Sequence, residues 1–206
     1  PLSQIASANV VNVSYTDVGW YSDVGSHNPA SFNHITGLAS NIENRSFFIF
    51  DLSAVTDTVV SASFRVFNPS NGYSSPDENE TFDVYDVSTS ITSLTNGTGS
   101  TSAFVDLGAG TLYGSATINI TDIDTVIDIT LNRNAIDAIN LSSGLFAMGA
   151  TLTSISGVSD QIVFSSTDSS SFTRELQLTT VPVPAAVWLF GSGLIGFIGV
   201  ARRKKA

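Results

Sequence analysis

Asn44-Arg45-Ser46-Phe47-Phe48-Ile49-Phe50-Asp51-Leu52, followed after a short polar break by Val59-Val60-Ser61-Ala62-Ser63-Phe64-Arg65-Val66-Phe67, decides the fold class. In the second stretch Val60, Ala62, Phe64 and Val66 alternate with Ser61, Ser63 and Arg65. That period of two is the signature of a strand with one face in a core and one in water, the usual state of an antiparallel sheet. The first stretch puts Phe47, Phe48, Ile49 and Phe50 in a row. Such a strand has no wet face, which predicts a position in the middle of a sheet.

Similar β-branched or alternating runs recur on both sides. They predict strands at Asn9–Tyr15, Arg45–Leu52, Val59–Phe67, Thr81–Val87, Ser115–Ile120, Val126–Leu131, Leu145–Leu152, Gln161–Ser165 and Arg174–Thr180. Turn material separates them, such as Asn68-Pro69-Ser70-Asn71-Gly72 and Asn96-Gly97-Thr98-Gly99. One segment breaks the pattern. Arg133–Leu141 offers Ala135, Ile136, Ile139 and Leu141 on one side, behind Asn132 as an N-cap, and predicts a single short helix. The expected class is all-β: a two-sheet antiparallel sandwich, jelly-roll-like, with one short helix.

The C-terminal end has a different character. Val181-Pro182-Val183-Pro184 precedes an uncharged run from Ala185 to Ala201, which is followed by Arg202, Arg203, Lys204 and Lys205. At 1.5 Å per residue, 185–201 reaches about 25 Å as a helix, enough for a thin bilayer. The basic cluster acts as a membrane stop and keeps its side cytoplasmic, so everything before Val181 is expected on the far side. Ser192, Gly193, Gly196 and Gly199 have the small-residue spacing that lets another helix approach. The expected organisation is an exported β-sandwich domain at 1–180, a Pro-containing linker at 181–184, a transmembrane helix at 185–201 and a basic tail at 202–206. A first residue Pro1 in place of Met points to a removed signal peptide.

These tail features resemble a PEP-CTERM sorting signal, with Val181-Pro182-Val183-Pro184 as the sorting motif and Val183 between the prolines where the family usually has Glu. The resemblance implies an exported protein of a Gram-negative bacterium, handled by an exosortase-type sorting protease. It would be destined for the cell surface or an extracellular, biofilm-like matrix. The Asn44–Leu52 and Val59–Pro69 strands also resemble β-domains of that tail-bearing group, and are similar to carbohydrate-binding jelly rolls and DNRLRE-like exported sandwiches. The alternative to release is permanent anchoring in the inner membrane, with the β-domain as the periplasmic cap of a membrane complex or filament.

Charge narrows the partners. All eighteen acidic residues precede Val181, against four arginines there, a net −14 for that part and −10 for the chain. Such a surface repels phosphate backbones and excludes nucleic acid as a partner. Neutral polysaccharide and divalent cations remain. The 52 serines and threonines suit a glycan environment, and the absence of cysteine excludes disulfides and thiolate-bound metals.

Candidate chemistry is sparse, and no catalytic set emerges. His27 and His34 flank a loop-like stretch; they suit either a metal pair or, more simply, local hydrogen bonding. Asp77, Glu78 and Glu80 form an acidic loop, a candidate Ca²⁺ site without the spacing of a known Ca²⁺ loop; a solvated turn is the simpler reading. Asp122, Asp124 and Asp128 share parity and are expected on one strand face. Arg45 and Arg65 are expected against Asp51 or Asp83. Trp20, Tyr21, His27 and Tyr73 form the candidate glycan contact, because sugar C–H faces stack on exposed aromatic rings. Of the six Asn-x-Ser/Thr sequons, Asn79 and Asn96 are the better placed for modification. No cofactor is expected.

Overall fold

The computed structural model describes residues 7–157, 160–165 and 167–182. Within them the chain is mostly β, built on one curled antiparallel sheet. In order it runs β1 (Asn9–Ser22), β2 (Thr36–Ala39), β3 (Ile42–Asp51), β4 (Thr58–Asn68), β5 (Tyr73–Ser74) and β6 (Glu80–Tyr85). Then follow α1 (Ile91–Thr95), α2 (Ser100–Asp106), β7 (Leu112–Ile118), a 3₁₀ turn (Ile120–Asp122) and β8 (Thr125–Thr130). The remainder is α3 (Arg133–Leu141), β9 (Leu145–Leu152), β10 (Gln161–Val163) and β11 (Arg174–Val181).

The curl is carried by β1. Asn9–Ser14 pair with β11, whereas Tyr15–Ser22 pair with β3, and the register breaks between Tyr15 and Asp17. One limb therefore runs β1-β11-β4-β8. The other runs from β3 through β9 and β6 to β7, with β2, β10 and β5 extending from the start of β3. The limbs meet through their aromatic residues. The rings of Phe48 on β3 and Phe64 on β4 lie 4.6 Å apart, and Phe50 meets Phe64 edge-on at 6.1 Å. Phe82, Met148, Leu176 and Leu178 complete this fully buried core. Each such side chain contributes about 1.5–3 kcal/mol of burial energy.

The all-apolar reading of Phe47–Phe50 has a physical cause. Phe48 and Phe50 fill the main core, while Phe47 and Ile49 point the other way, into a second cluster with Tyr21, Leu94, Ala103, Phe104 and Leu107. α1 and α2 thus cover the outer face of β3, which pairs with β1 and β9 on its two sides. α3 forms where expected. Asn132 accepts from the Ala135 amide at 3.2 Å, and Ala135, Ile136 and Ile139 enter the main core.

Several expectations need correction. Eleven strands, not nine, and three α-helices, not one, lie in the described residues. α1 and α2 sit in a Ser-, Thr- and Gly-rich stretch that reads as turn. In β4 the inward set is Val59, Ala62, Phe64 and Val66, while Val60 is 46% exposed, because the register shifts opposite it between Thr179 and Thr180. Asp122, Asp124 and Asp128 do not share a strand face. Asp122 caps the 3₁₀ turn through the Asn119 amide, Asp124 sits at φ +57°, and only Asp128 is on β8. Arg65 instead meets Glu175 and Asp128, the residues opposite it on β11 and β8, and Arg45 meets Glu43 at 2.9 Å.

Among the described residues no helix is long and apolar enough to cross a membrane. Val183, Pro184, the apolar run with Ser192, Gly193, Gly196 and Gly199, and Arg202, Arg203, Lys204 and Lys205 lie outside the described residues. Val181 ends β11, paired with Thr58, and Pro182 follows it.

Candidate functional site

Alternation along β1 separates the four aromatic candidates. Val18 and Trp20 share a parity that faces the inner side of the sheet, whereas Gly19 and Tyr21 face α1 and α2. A β-carbon on Gly19 would come within 2.8 Å of the Phe47 and His27 rings, so that close packing requires glycine. Tyr21 is fully buried and belongs to the second cluster, so it leaves the candidate surface. Its hydroxyl lies 2.7 Å from the Ser93 carbonyl and 3.0 Å from that of Leu94, and accepts from the Gly99 amide at 3.2 Å. It pins the helical excursion to the sheet. Burial raises its pKa above the ordinary tyrosine value, against the Gly99 bond.

His27 is likewise structural. Its ring stacks on Tyr21 at 4.7 Å, and Nδ1 lies 2.8 Å from the Trp20 carbonyl oxygen. Tyr73 is buried in the main core and donates to the Asp77 carbonyl at 3.0 Å. Two adjacent aromatics in one strand must face opposite ways, so the sequence itself could have separated Trp20 from Tyr21 once β1 was extended to Ser22.

Trp20 remains. Half-buried, it walls an open depression of about 390 Å³ together with Val24, Ile35, Ala39 and Ile42, with Ser22, Ser26 and Asn44 around them. Val24 is 67% and Ile42 41% exposed. The site forms where β1, β2 and β3 run out beyond the core, next to the β2–β3 hairpin. The aliphatic members carry no sequence signal for this role, because Val24, Ile35 and Ile42 sit apart in loops and strand ends.

The acidic loop does not form a cation cradle. Glu80 is fully buried, and its carboxylate accepts from Ser75 Oγ at 2.5 Å, from Gln161 Nε2 at 3.0 Å and from Ser154 Oγ. Gln161 Nε2 also donates to Asp77 at 2.7 Å. Glu80 and Asp77 thus tie β6 to β10 and the loop after β9, while Glu78 is exposed apart from them. Among the described residues no three His, Asp or Glu side chains gather as a metal site.

His34 and Arg174 form the second polar cluster, and sequence reading gave no hint of their pairing. Both are buried, and Arg174 Nε donates to His34 Nδ1 at 3.0 Å. Arginine only donates, so His34 must be the neutral tautomer with its proton on Nε2. Burial, and then the Arg174 charge, hold the His34 pKa well below its ordinary value. Nε2 has no hydrogen-bond partner and lies among the Phe48 and Phe164 rings. Arg174 also donates to the carbonyls of Ser169, Phe32 and Thr167, and lies over the Tyr15 ring. The cluster clamps two loops together. It does not bring His34 to His27.

Of the sequons, Asn44 is buried and Asn119 caps the 3₁₀ turn, whereas Asn79 and Asn96 are exposed. Neither the protein-family models nor the curated proteins searched contain a match to this chain.

Proposed function

We propose that this chain is an exported, non-catalytic structural or adhesive protein of the cell surface or extracellular matrix, delivered through its PEP-CTERM-like tail, and that its β-domain contacts neutral polysaccharide at the Trp20 depression. The observation that carries the reading is that depression itself. An apolar floor with an indole wall and hydroxyl and amide groups beside it suits the C–H face and the hydroxyls of a sugar. The net negative charge of the chain disfavours anionic ligands. The histidines, Glu80 and Asp77 support the non-catalytic part, since each is already committed to holding loops together. The finer architecture belongs to the same proposal: a jelly-roll-like, two-sheet sandwich, supported by the Phe48–Phe64 contact between the limbs, followed by a transmembrane helix.

A panel of neutral polysaccharides tests the contact, read by affinity electrophoresis. Trp20→Ala is expected to lose at least tenfold in retention with unchanged melting, while Phe32→Ala, an exposed aromatic elsewhere, retains binding. Equal retention by Trp20→Ala and the parent removes Trp20 from the site.

One observation favours the permanently anchored reading, with the β-domain as periplasmic cap of a membrane complex. β11 stays in the ladder up to Val181, so only Pro182–Pro184 separates paired strand from apolar run. Intact mass of the native protein decides between the two. A mass ending near Pro182–Pro184 supports sorting and release, and the full mass supports anchoring.

A further inference from the structure

We propose that the end of the β-domain from which the tail departs is a lipid-facing rim, seated in the headgroup layer of the bilayer through Leu141, Val10 and Val60. The proposal rests on the reading of 185–201 as a membrane span. Three pairings bring these residues to one end. Thr180 lies opposite Asn9 on β1 and opposite Val59 on β4, and Val181 lies opposite Thr58. Asn140 Nδ2 donates to the Val59 carbonyl, and Asn140 Oδ1 accepts from the Val59 amide, both at 2.9 Å. The C-terminal end of α3 is thereby fixed beside the end of β11.

Three large apolar side chains at that end are exposed. Leu141, next to Asn140, is 87% exposed, Val10 65% and Val60 46%. Leu145, half exposed, starts β9 opposite Asp51. In a domain with eighteen acidic residues, the segments 7–10, 51–60, 140–145 and 180–182 contain Asp51 and Asp57. Two carboxylates in those segments are close to the domain's average, so the exposed Leu and Val side chains are what mark this end.

Chain length supplies the occupant. Pro182 to Ala185 is three residue steps, which extended reach about 10 Å. The headgroup layer on each side of the hydrocarbon is itself roughly 5–7 Å thick. With Ala185 at the hydrocarbon boundary, the end of β11 stands at most about 3–5 Å beyond the headgroups, within reach of side chains that project from that end. The residues that meet them are the exposed Leu and Val side chains, which gain from the interface. Trp20, eleven positions along β1 from Asn9 and up to roughly 35 Å away, then points away from the membrane.

The chain has no cysteine, so single fluorescent labels can be introduced one at a time in the full-length protein. Leu141→Cys, Val10→Cys and Ile42→Cys are labelled, and Gly193→Cys reports on the tail. Each is reconstituted in phosphatidylcholine vesicles carrying a headgroup nitroxide or a deep-chain nitroxide. The expected result is several-fold stronger headgroup quenching at 141 and 10 than at 42, with deep quenching at 193. If 193 is quenched while 141 and 10 match 42, the rim proposal fails and the span reading stands. If 193 is not quenched by the deep nitroxide, both fail. Protection at 141 that depends on protein concentration, without nitroxide quenching, assigns the rim to a second copy and overturns the lipid assignment.

Discussion

His34 and Arg174 are the residues on which the loop architecture depends. A fully buried guanidinium normally finds a carboxylate; here it finds a neutral imidazole and backbone carbonyls instead. The arrangement works only while His34 is uncharged, because a proton on Nδ1 would remove the acceptor and set two positive groups against each other. The folded pKa is depressed, so the unfolded chain takes up the proton first. Stability is therefore complete above the unfolded value near 6.5 and is lost as pH falls below it, by about 1.4 kcal/mol per pH unit for one group. Urea unfolding between about pH 7 and pH 5, above the range where most carboxylates titrate, is expected to show this slope. His34→Gln, which keeps an oxygen acceptor for Arg174, is expected to flatten it; an unchanged slope in the variant would locate the proton elsewhere. Nothing in the composition foretold this pair, since 140 positions separate the two residues and neither lies in a recognisable motif.

At the scale of elements, the β2–β3 hairpin closes with Ser40 and Asn41 at φ +51° and +64°. Both central residues of this two-residue turn occupy the left-handed region, the requirement of the turn that matches strand twist. Asn tolerates that region, but Ser gains little there, at a cost on the order of 1 kcal/mol relative to Gly. Ser40→Gly is expected to stabilise the domain by roughly 0.5–1 kcal/mol and raise the midpoint of thermal melting by a few degrees. Ser40→Val is expected to lower it, and equal melting of the two variants would contradict the turn assignment. The elements that sequence reading recovered, such as Leu145–Leu152 and α3, are those whose hydrophobic period or cap is complete within the segment. The second half of β1 was missed because Asp17, Gly19 and Ser22 read as loop. Their neighbours supply the reason they are strand: Gly19 admits the Phe47 ring, and the Asp17 side chain accepts from the Val18 amide at 2.8 Å. α1 and α2 were missed because their cover over β3 uses only Leu94, Ala103, Phe104 and Leu107, too few to set a period against so many serines and threonines.

For the whole molecule, charge balance is the property most open to measurement. The part before Val181 carries a net −14, and among the described residues its four arginines are spent on Glu43, Glu175 with Asp128, Asp137 and the His34 cluster. Repulsion among the remaining carboxylates therefore opposes the compact state, and little attraction exists for salt to weaken. Raising NaCl from about 0.01 M to 1 M shortens the screening length from about 30 Å to 3 Å. The melting temperature is expected to rise across that range and to level off once the screening length falls below the spacing between carboxylates. Ca²⁺ provides the sharper comparison. Glu80 and Asp77 already accept from Ser75, Ser154 and Gln161, which leaves the buried carboxylate of Glu80 engaged inside the fold. At equal ionic strength, CaCl₂ and NaCl are expected to give the same melting temperature. An excess stabilisation by Ca²⁺ that Glu80→Gln abolishes would show that the loop opens to take the ion, and would return the acidic segment to the list of binding sites.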